Sequence, residues 1–247
     1  MMRGYVFGLL CLTVLTLSPA RARGQSPEVP NMHAPPRTFI LAEVLEYSPG
    51  GVDRPIRYDV EAWHGGDYNR LWLKADGEQG TEDGAGELEF QALYSRLVSP
   101  FWDAQIGVRF DVHYGEGTAR SRAALALGLE GLAPYWFELE PTLYLDQDGV
   151  ISASLTAAYE LYFTQRVVVE PRLETFAALR EVREFGIGRG INDIEFGLRA
   201  RYEIRREFAP YVGLAWGRRI GGTADLAHEA GEPVREASFV AGLRMWR

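Results

Sequence analysis

The stretch IEFGLRARYEIR at residues 194–205 decides the fold. Apolar side chains occupy its even positions, and charged side chains occupy its odd positions on both sides of Gly197. Successive side chains of a β-strand point to opposite faces, so a period of two separates these residues into two surfaces. The stretch therefore predicts a strand with one apolar face and one charged face.

The same alternation returns in about twelve segments along the chain. Most of these segments exceed the five or six residues of an ordinary globular strand and approach the nine to eleven that a tilted membrane-spanning strand needs. The predicted strands begin near Phe39, Pro55, Asn69, Gly86, Trp102, Arg120, Trp136, Ile151, Arg166, Asp193, Ala209 and Arg235.

The connections between these segments alternate between two kinds. Tight turns lie at 65–68, 99–102, 133–136, 164–166 and 206–211, whereas mostly longer, polar and Gly-rich loops lie at 48–55, 77–86, 115–120, 146–149, 180–190 and 221–234. Short periplasmic turns opposite longer external loops are typical of outer-membrane barrels. The sequence thus predicts an all-β fold, an antiparallel transmembrane β-barrel of about twelve strands. A soluble periplasmic β-sandwich or barrel is the alternative, since alternation alone does not separate the two.

Aromatic side chains cluster near the tight turns. Tyr and Trp favour the boundary between headgroups and hydrocarbon, so this placement supports the membrane interpretation. The clustered residues are Trp63, Tyr68, Tyr94, Phe101, Trp102, Tyr135, Trp136, Phe163, Phe208 and Tyr211.

The amino-terminal region predicts processing and a tether. Residues 1–22 combine Arg3, an apolar stretch at 5–17 and small residues at 20 and 22, the pattern of a secretory signal peptide. The one cysteine, Cys11, lies inside it. Residues 23–37 form a Pro-rich periplasmic tether, and residues 38–247 form the barrel. The predicted location is the cell outer membrane, with outer-membrane lipid around the barrel.

The charged faces of the strands are predicted to line the lumen. Opposite charges on neighbouring strands can pair there, and arginine suits this because its guanidinium binds a carboxylate at two points. Such a network either lines and plugs the barrel or forms a polar, cation-attracting conduit. The predicted network contains Arg109, Glu138, Glu170, Arg172, Glu195, Arg199, Arg201 and Glu203, and the same alternation predicts that Arg205 points inward.

Two function classes are disfavoured. The chain has 34 Asp and Glu against 26 Lys and Arg, whereas nucleic-acid binding proteins usually carry a basic excess. His64 and His113 are the histidines near predicted strands, and no serine is placed beside either as a hydrolase would need. The chain is therefore predicted to be neither a nucleic-acid binder nor an enzyme.

Four residues are candidate copper ligands. Met32 and His33 place a thioether beside an imidazole in the tether, a combination that suits copper, although two such residues also arise by chance. His113 and Asp111 lie two residues apart on the inward face of one predicted strand, so their side chains are neighbours.

Several segments resemble the copper-resistance protein B family of outer-membrane proteins. They include YDVEAWHGGDYNRLWLKADGE at 58–78, LYSRLVSPFWDAQIGVRFD at 93–111, GLEGLAPYWFELEPTLYL at 128–145 and LRARYEIRREFAPYVGLAW at 198–216. The resemblance implies a monomeric outer-membrane barrel that contributes to copper resistance by binding copper or allowing its passage. It also implies a periplasmic multicopper oxidase as partner, and it carries Met32 and His33 over as the last Met and His positions before the first strand.

One feature departs from that family. Many members carry a segment rich in methionine and histidine before the barrel, whereas the tether here contains only Met32 and His33 of these types. This departure argues against high-capacity copper storage. The alternative function is a structural or general barrel with an ion-paired lumen and no metal specificity.

Overall fold

The computed structural model describes residues 35–51, 54–82, 84–115 and 118–247. The predicted signal peptide at 1–22 lies outside the described residues. So does the tether at 23–37, except for its last three residues, and with it the candidate ligands Met32 and His33.

The described chain forms one antiparallel sheet that closes on itself. Its thirteen strands occupy twelve positions around the barrel, because β8 and β9 pair with successive parts of the same side of β10 and together fill one position. The strands are β1 (Arg37–Tyr47), β2 (Ile56–Gly65), β3 (Asn69–Gln79), β4 (Gly86–Ser99), β5 (Trp102–Gly115), β6 (Thr118–Ala133), β7 (Phe137–Asp146), β8 (Ile151–Ala158), β9 (Leu161–Tyr162), β10 (Val167–Ala178), β11 (Gly190–Tyr202), β12 (Phe208–Arg219) and β13 (Arg235–Trp246).

Closure is made by the first and last strands. β1 pairs with β2 on one side and with β13 on the other, where Leu41 lies opposite Trp246. Two backbone hydrogen bonds join Ile40 and Arg247, with N···O distances of 2.9 and 2.8 Å. A closed sheet has no open edge. Closure matters in a membrane, because lipid could not form hydrogen bonds with the backbone groups of such an edge. The prediction of an antiparallel transmembrane barrel of about twelve strands is therefore confirmed.

The two ends of the barrel differ in their connections. The turn end carries the connections 66–68, 100–101, 134–136, 163–166 and 203–207. At the loop end, β1 is followed by β2, β3 by β4 and β5 by β6, and the connections 147–150, 179–189 and 220–234 lie at the same end. The 179–189 connection contains a short 3₁₀ helix (Arg183–Phe185), and the 220–234 connection contains α1 (Gly221–Ala230). The predicted loop at 115–120 is mostly strand instead, because β5 and β6 extend to Gly115 and from Thr118. Among the described residues, no helix is long and apolar enough to cross a membrane.

The outer wall is apolar and the interior is polar, the reverse of a water-soluble protein. Leu127 is 57% exposed on the outer face of β6, and Ile106 is 58% exposed on β5. Gln105 and Asp111 on the inner face of β5 are 1% and 3% exposed. So large an exposed apolar surface indicates contact with lipid.

The aromatic residues near the turn end divide between the two faces. Tyr68, Phe101 and Trp136 are exposed at the rim, as predicted. Trp63 instead stacks on Phe39, with ring centroids 5.8 Å apart, and Tyr211 is buried in the lumen. The alternation of inner and outer positions overrides the preference of these two side chains for a lipid boundary.

Leu127→Arg is expected to lower the free energy of unfolding in phospholipid by about 2–4 kcal/mol, because it places a guanidinium at mid-depth on the lipid face. Urea unfolding in vesicles would measure the loss. Tyr68→Arg, at the exposed turn end, is the matched control and should change stability little. If the free energy of unfolding of Leu127→Arg equalled that of the wild type, and the variant stayed folded without detergent, the outer wall would not face lipid.

Candidate functional site: an ion-paired lumen

Ion pairs cross the middle of the lumen from one wall to the other. Arg172 on β10 donates to Glu43 on β1 at 2.8 Å and to Asp59 on β2 at 3.1 Å. Arg57 on β2 donates to Glu174 on β10 at 2.7 Å and to Glu195 on β11 at 3.1 Å. Because β2 and β10 are not neighbours in the sheet, these bonds span the interior.

The space among the crossing pairs is small. A cavity of about 100 Å³ is lined by Arg57, Arg172 and Glu174, together with Arg199 and Glu46. A cavity of this size holds several water molecules. An ion at this level of the barrel would lie beside carboxylates that the arginines already hold.

A second buried pair lies beside the crossing pairs, between β11 and β1. Arg199 donates to both carboxylate oxygens of Glu46, at 2.9 and 3.2 Å, and Tyr211 donates to the same carboxylate at 3.2 Å. Tyr211 lies across Gly242 of β13, where an added Cβ would stand 2.5 Å from the tyrosine hydroxyl. The glycine therefore provides the space that lets Tyr211 reach Glu46.

The single lysine of the chain, Lys74 on β3, bridges two carboxylates of distant strands. Its ammonium contacts Glu130 on β6 at 3.1 Å and Glu140 on β7, and it lies 5.4 Å from the centroid of Trp72. Gln105 donates to the same Glu130 at 2.7 Å. Lys74 thus acts as a tethered cation inside a carboxylate-lined part of the lumen.

Two carboxylates that form no ion pair in the described chain lie in the turn-end half of the lumen. Within the part of the chain that the structure describes, Glu61 and Glu138 have no ion pair within 4.0 Å. Glu61 lies opposite Lys74 in the register of β2 and β3, but the Lys74 ammonium is already bonded to Glu130 and Glu140. Glu138 lies under the influence of the Arg244 cation and of three carboxylates, those of Glu43, Glu160 and Glu170. This half of the lumen therefore carries a local excess of negative charge, which attracts cations.

The other predicted network residues are placed in pairs along the wall. Arg109 contacts Glu89 at 2.8 Å and Asp111 at 2.6 Å. Arg201 contacts Glu170 at 2.6 Å and also Glu160. Glu203 contacts Arg206 at 2.9 Å. Arg205 was predicted to point inward but is exposed, because β11 ends at Tyr202 and Arg205 instead closes the tight turn at 206–207 by pairing with Phe208.

The candidate copper ligands on β5 are held differently. Both oxygens of Asp111 accept hydrogen bonds from arginines, at 2.6 Å from Arg109 and at 2.8 and 3.1 Å from Arg122. His113 Nδ1 lies 3.7 Å from a carboxylate oxygen of Glu87, and its ring packs edge-on against Phe185. The described ranges contain no group of three or more His, Cys, Asp or Glu arranged to hold a metal. Asp111 and His113 as a ligand pair therefore remain a prediction, and Glu87 is the carboxylate nearest to the imidazole.

A loop partly covers the loop end above His113. Phe185 of the 179–189 connection also packs against the guanidinium of Arg122, 5.1 Å from the ring centroid. Arg183 contacts Glu229 of α1 at 3.3 Å, which ties the two longest loops together. The hydrogen bond to Glu181 and the nearby carboxylates raise the pKa of Arg183.

Sequence reasoning missed several lumen residues for identifiable reasons. A bulge in β1 between Ala42 and Val44 lets Glu43 and Glu46 both reach the lumen, although they differ in parity. Glu130 and Arg122 are both even-numbered residues of β6 and therefore lie on the same face of the strand. Small residues occupy the even positions between them, so this face carries few charges. The even spacing from Arg122 could have predicted that Glu130 faces the lumen, whereas nothing in the sequence indicates the bulge in β1.

The fold and lumen define a class of protein. A closed antiparallel barrel with an apolar outer wall and an ion-paired interior is a porin-like transmembrane β-barrel. The structure is similar to that of the NanC porin, with a TM-score of 0.51 and 10% identity over 85% of this chain and 99% of that chain. A likeness at so low an identity shows the fold alone.

The sequence narrows this class to one family. The family described as Copper resistance protein B precursor (CopB) matches residues 37–247. The chain is 37% identical over 208 residues to Copper resistance protein B of Escherichia coli, covering 84% of this chain and 69% of that protein. It is also 37% identical over 209 residues to a Copper resistance protein B homolog of Pseudomonas syringae pv. tomato, covering 85% and 69%. The chain therefore belongs to the copper resistance protein B family, which confirms the resemblance.

Arg199→Met is expected to lower the free energy of unfolding by about 3–5 kcal/mol, because it leaves the Glu46 carboxylate buried without its cation. The double variant Glu46→Gln/Arg199→Met should recover part of this loss, since neither charge then remains. Urea unfolding in detergent micelles measures both. Arg206→Met, at a mostly exposed guanidinium, is the control and should cost under about 1 kcal/mol. Strictly additive losses in the double variant would show that the pair is not coupled.

Proposed function

We propose that this chain is an outer-membrane barrel that contributes to copper resistance by a non-catalytic route, binding copper ions or allowing their passage. Membership of the copper resistance protein B family supports the biological role, and the porin-like fold supports the location. The observation that carries the mechanism is the group of turn-end carboxylates, in which Glu61 and Glu138 form no ion pair within 4.0 Å in the described chain.

The lumen is suited to attract a cation but not to let it pass freely. Carboxylates at the turn end concentrate cations in a low-dielectric interior. Arg57, Arg172 and Lys74 then occupy the carboxylates that a metal ion would need next. Uptake at the turn end, with the charged side chains acting as a barrier, therefore fits the geometry better than a wide aqueous pore.

The candidate ligands of the tether would act at the same end. Met32 and His33 precede β1 by only a few residues in the sequence, and β1 begins at the turn end. With the turn end in the periplasm, these ligands would face the compartment of a periplasmic multicopper oxidase, the partner that the family resemblance implies. A thioether next to an imidazole suits copper in particular.

Calorimetric titration of the refolded protein with Cu(I) and with Cu(II) tests the ligand assignment. Saturable binding is expected, and the variant Met32→Ala/His33→Ala/His113→Ala should lose it. His228→Ala is the control, because His228 is an exposed histidine on α1, at the loop end and not at the turn end where β1 begins. Absence of saturable copper binding by the wild-type protein would overturn the assignment. Copper binding by the triple variant equal to that of the wild type would show that other residues are the ligands.

The second candidate is a general barrel with an ion-paired lumen and no metal specificity. The observation that favours it is Asp111, whose carboxylate is already engaged by Arg109 and Arg122. This candidate predicts equal binding of copper, zinc and calcium by the wild-type protein, whereas the copper proposal predicts preference for copper.

Lys74→Met should raise single-channel conductance in planar bilayers and increase selectivity for cations, because it removes the tethered ammonium and frees Glu130 and Glu140 to attract mobile cations. Lys74→Arg is the control that keeps the positive charge and should conduct like the wild type. Equal conductance of Lys74→Met and the wild type would show that Lys74 is not part of the barrier.

A further inference from the structure

Two arginines lie directly opposite one another on the outer face of the loop end. Arg218 on β12 and Arg235 on β13 are partners in the antiparallel register, and both are exposed. In the described ranges, neither forms an ion pair within 4.0 Å; the nearby Arg219 pairs with Glu232. Like charges directly opposite across two strands are destabilising. The pair therefore calls for an anion from outside the chain.

The arginines border a cleft. An open cleft of about 490 Å³ is lined by Arg218, Arg219, His228 and Arg235, and its remaining lining is Ile220, Gly221, Ala224 and Val234. Since Glu232 neutralises Arg219, two guanidiniums remain to set the charge of the cleft. A volume of this size accommodates a phosphorylated sugar, and the guanidinium fork binds phosphate at two points.

The position along the barrel identifies the kind of anion. Trp216 lies two residues before Arg218 on the same outer face, about 7 Å along the strand, and is 41% exposed. Phe239, on the same face of β13, is 74% exposed. Aromatic residues on an outer wall mark the boundary of the hydrocarbon, so the arginines just beyond them lie at headgroup depth.

We propose that Arg218 and Arg235 form a binding site for the phosphate of an anionic glycolipid in the external leaflet. The inference rests on the outer-membrane location in the proposed function, since only there does the loop end meet such a lipid. The lipid phosphate relieves the repulsion between the two guanidiniums and fixes β12 and β13 at the base of α1. The same chemistry in solution would be a free phosphate, and the experiment separates the two sources.

Native mass spectrometry of the detergent-solubilised protein with bisphosphorylated lipid A measures the affinity. Arg218→Gln/Arg235→Gln should weaken binding by about tenfold or more for each arginine removed. Arg96→Gln is the matched control, an exposed arginine on the outer face of β4 near the turn end, and should leave affinity unchanged. Dephosphorylated lipid A should bind the wild type as weakly as it binds the double variant.

Thermal unfolding keeps the proposal testable independently of any folding defect. Without lipid A, the double variant should be at least as stable as the wild type, because a like-charge pair has been removed. With lipid A, the wild type should gain stability and the variant should not. Equal stabilisation of both proteins, or inorganic phosphate stabilising the wild type as strongly as lipid A, would overturn the lipid site. Copper titration of the double variant distinguishes this failure from failure of the proposed function, since that binding should be unaffected.

Discussion

The hydrogen bonds between β1 and β13 are the constraint on which the rest of the structure depends. They turn a sheet with two edges into a cylinder. Closure separates an enclosed polar interior from an apolar outer wall, the reverse of the arrangement in a water-soluble protein. Once the sheet is closed, the period of two assigns every side chain to lipid or to lumen. Charged residues are then forced together, and the interior becomes stable only where carboxylates and guanidiniums meet.

In the described chain, the lumen meets this requirement with ion pairs that bridge opposite walls. Arg57 and Arg172 satisfy carboxylates on the opposite wall, and Lys74 does the same between β3 and β7. Each bridge links strands that are distant in the sheet, so opposite walls of the barrel are held together. The carboxylates left over near the turn end are what distinguishes this interior from a neutral plug, and they give the copper proposal its physical basis.

Much of the fold follows from the sequence because its determinants are local. Alternation, strand length and turn composition place the strand starts within three residues of those observed, as at Asn69, Gly86 and Ile151. Pairing partners across the lumen are not local, and the bulge near Ala42 that brings Glu43 and Glu46 inward has no clear sequence signal. Trp63 and Tyr211 were assigned to the lipid boundary by residue type, whereas strand parity sends both inward. Asp111 looked available beside His113 because the sequence does not show that two arginines converge on it.

The solitary lysine has a practical consequence. Reagents that acylate primary amines find no lysine on the outer wall or in the loops of this chain, because Lys74 is the only one and its ammonium is enclosed in the lumen. Apart from labelling of the chain's amino terminus, covalent labelling of amines therefore requires the reagent to enter the barrel and reach Lys74. The rate of this labelling measures how often the interior opens to the reagent.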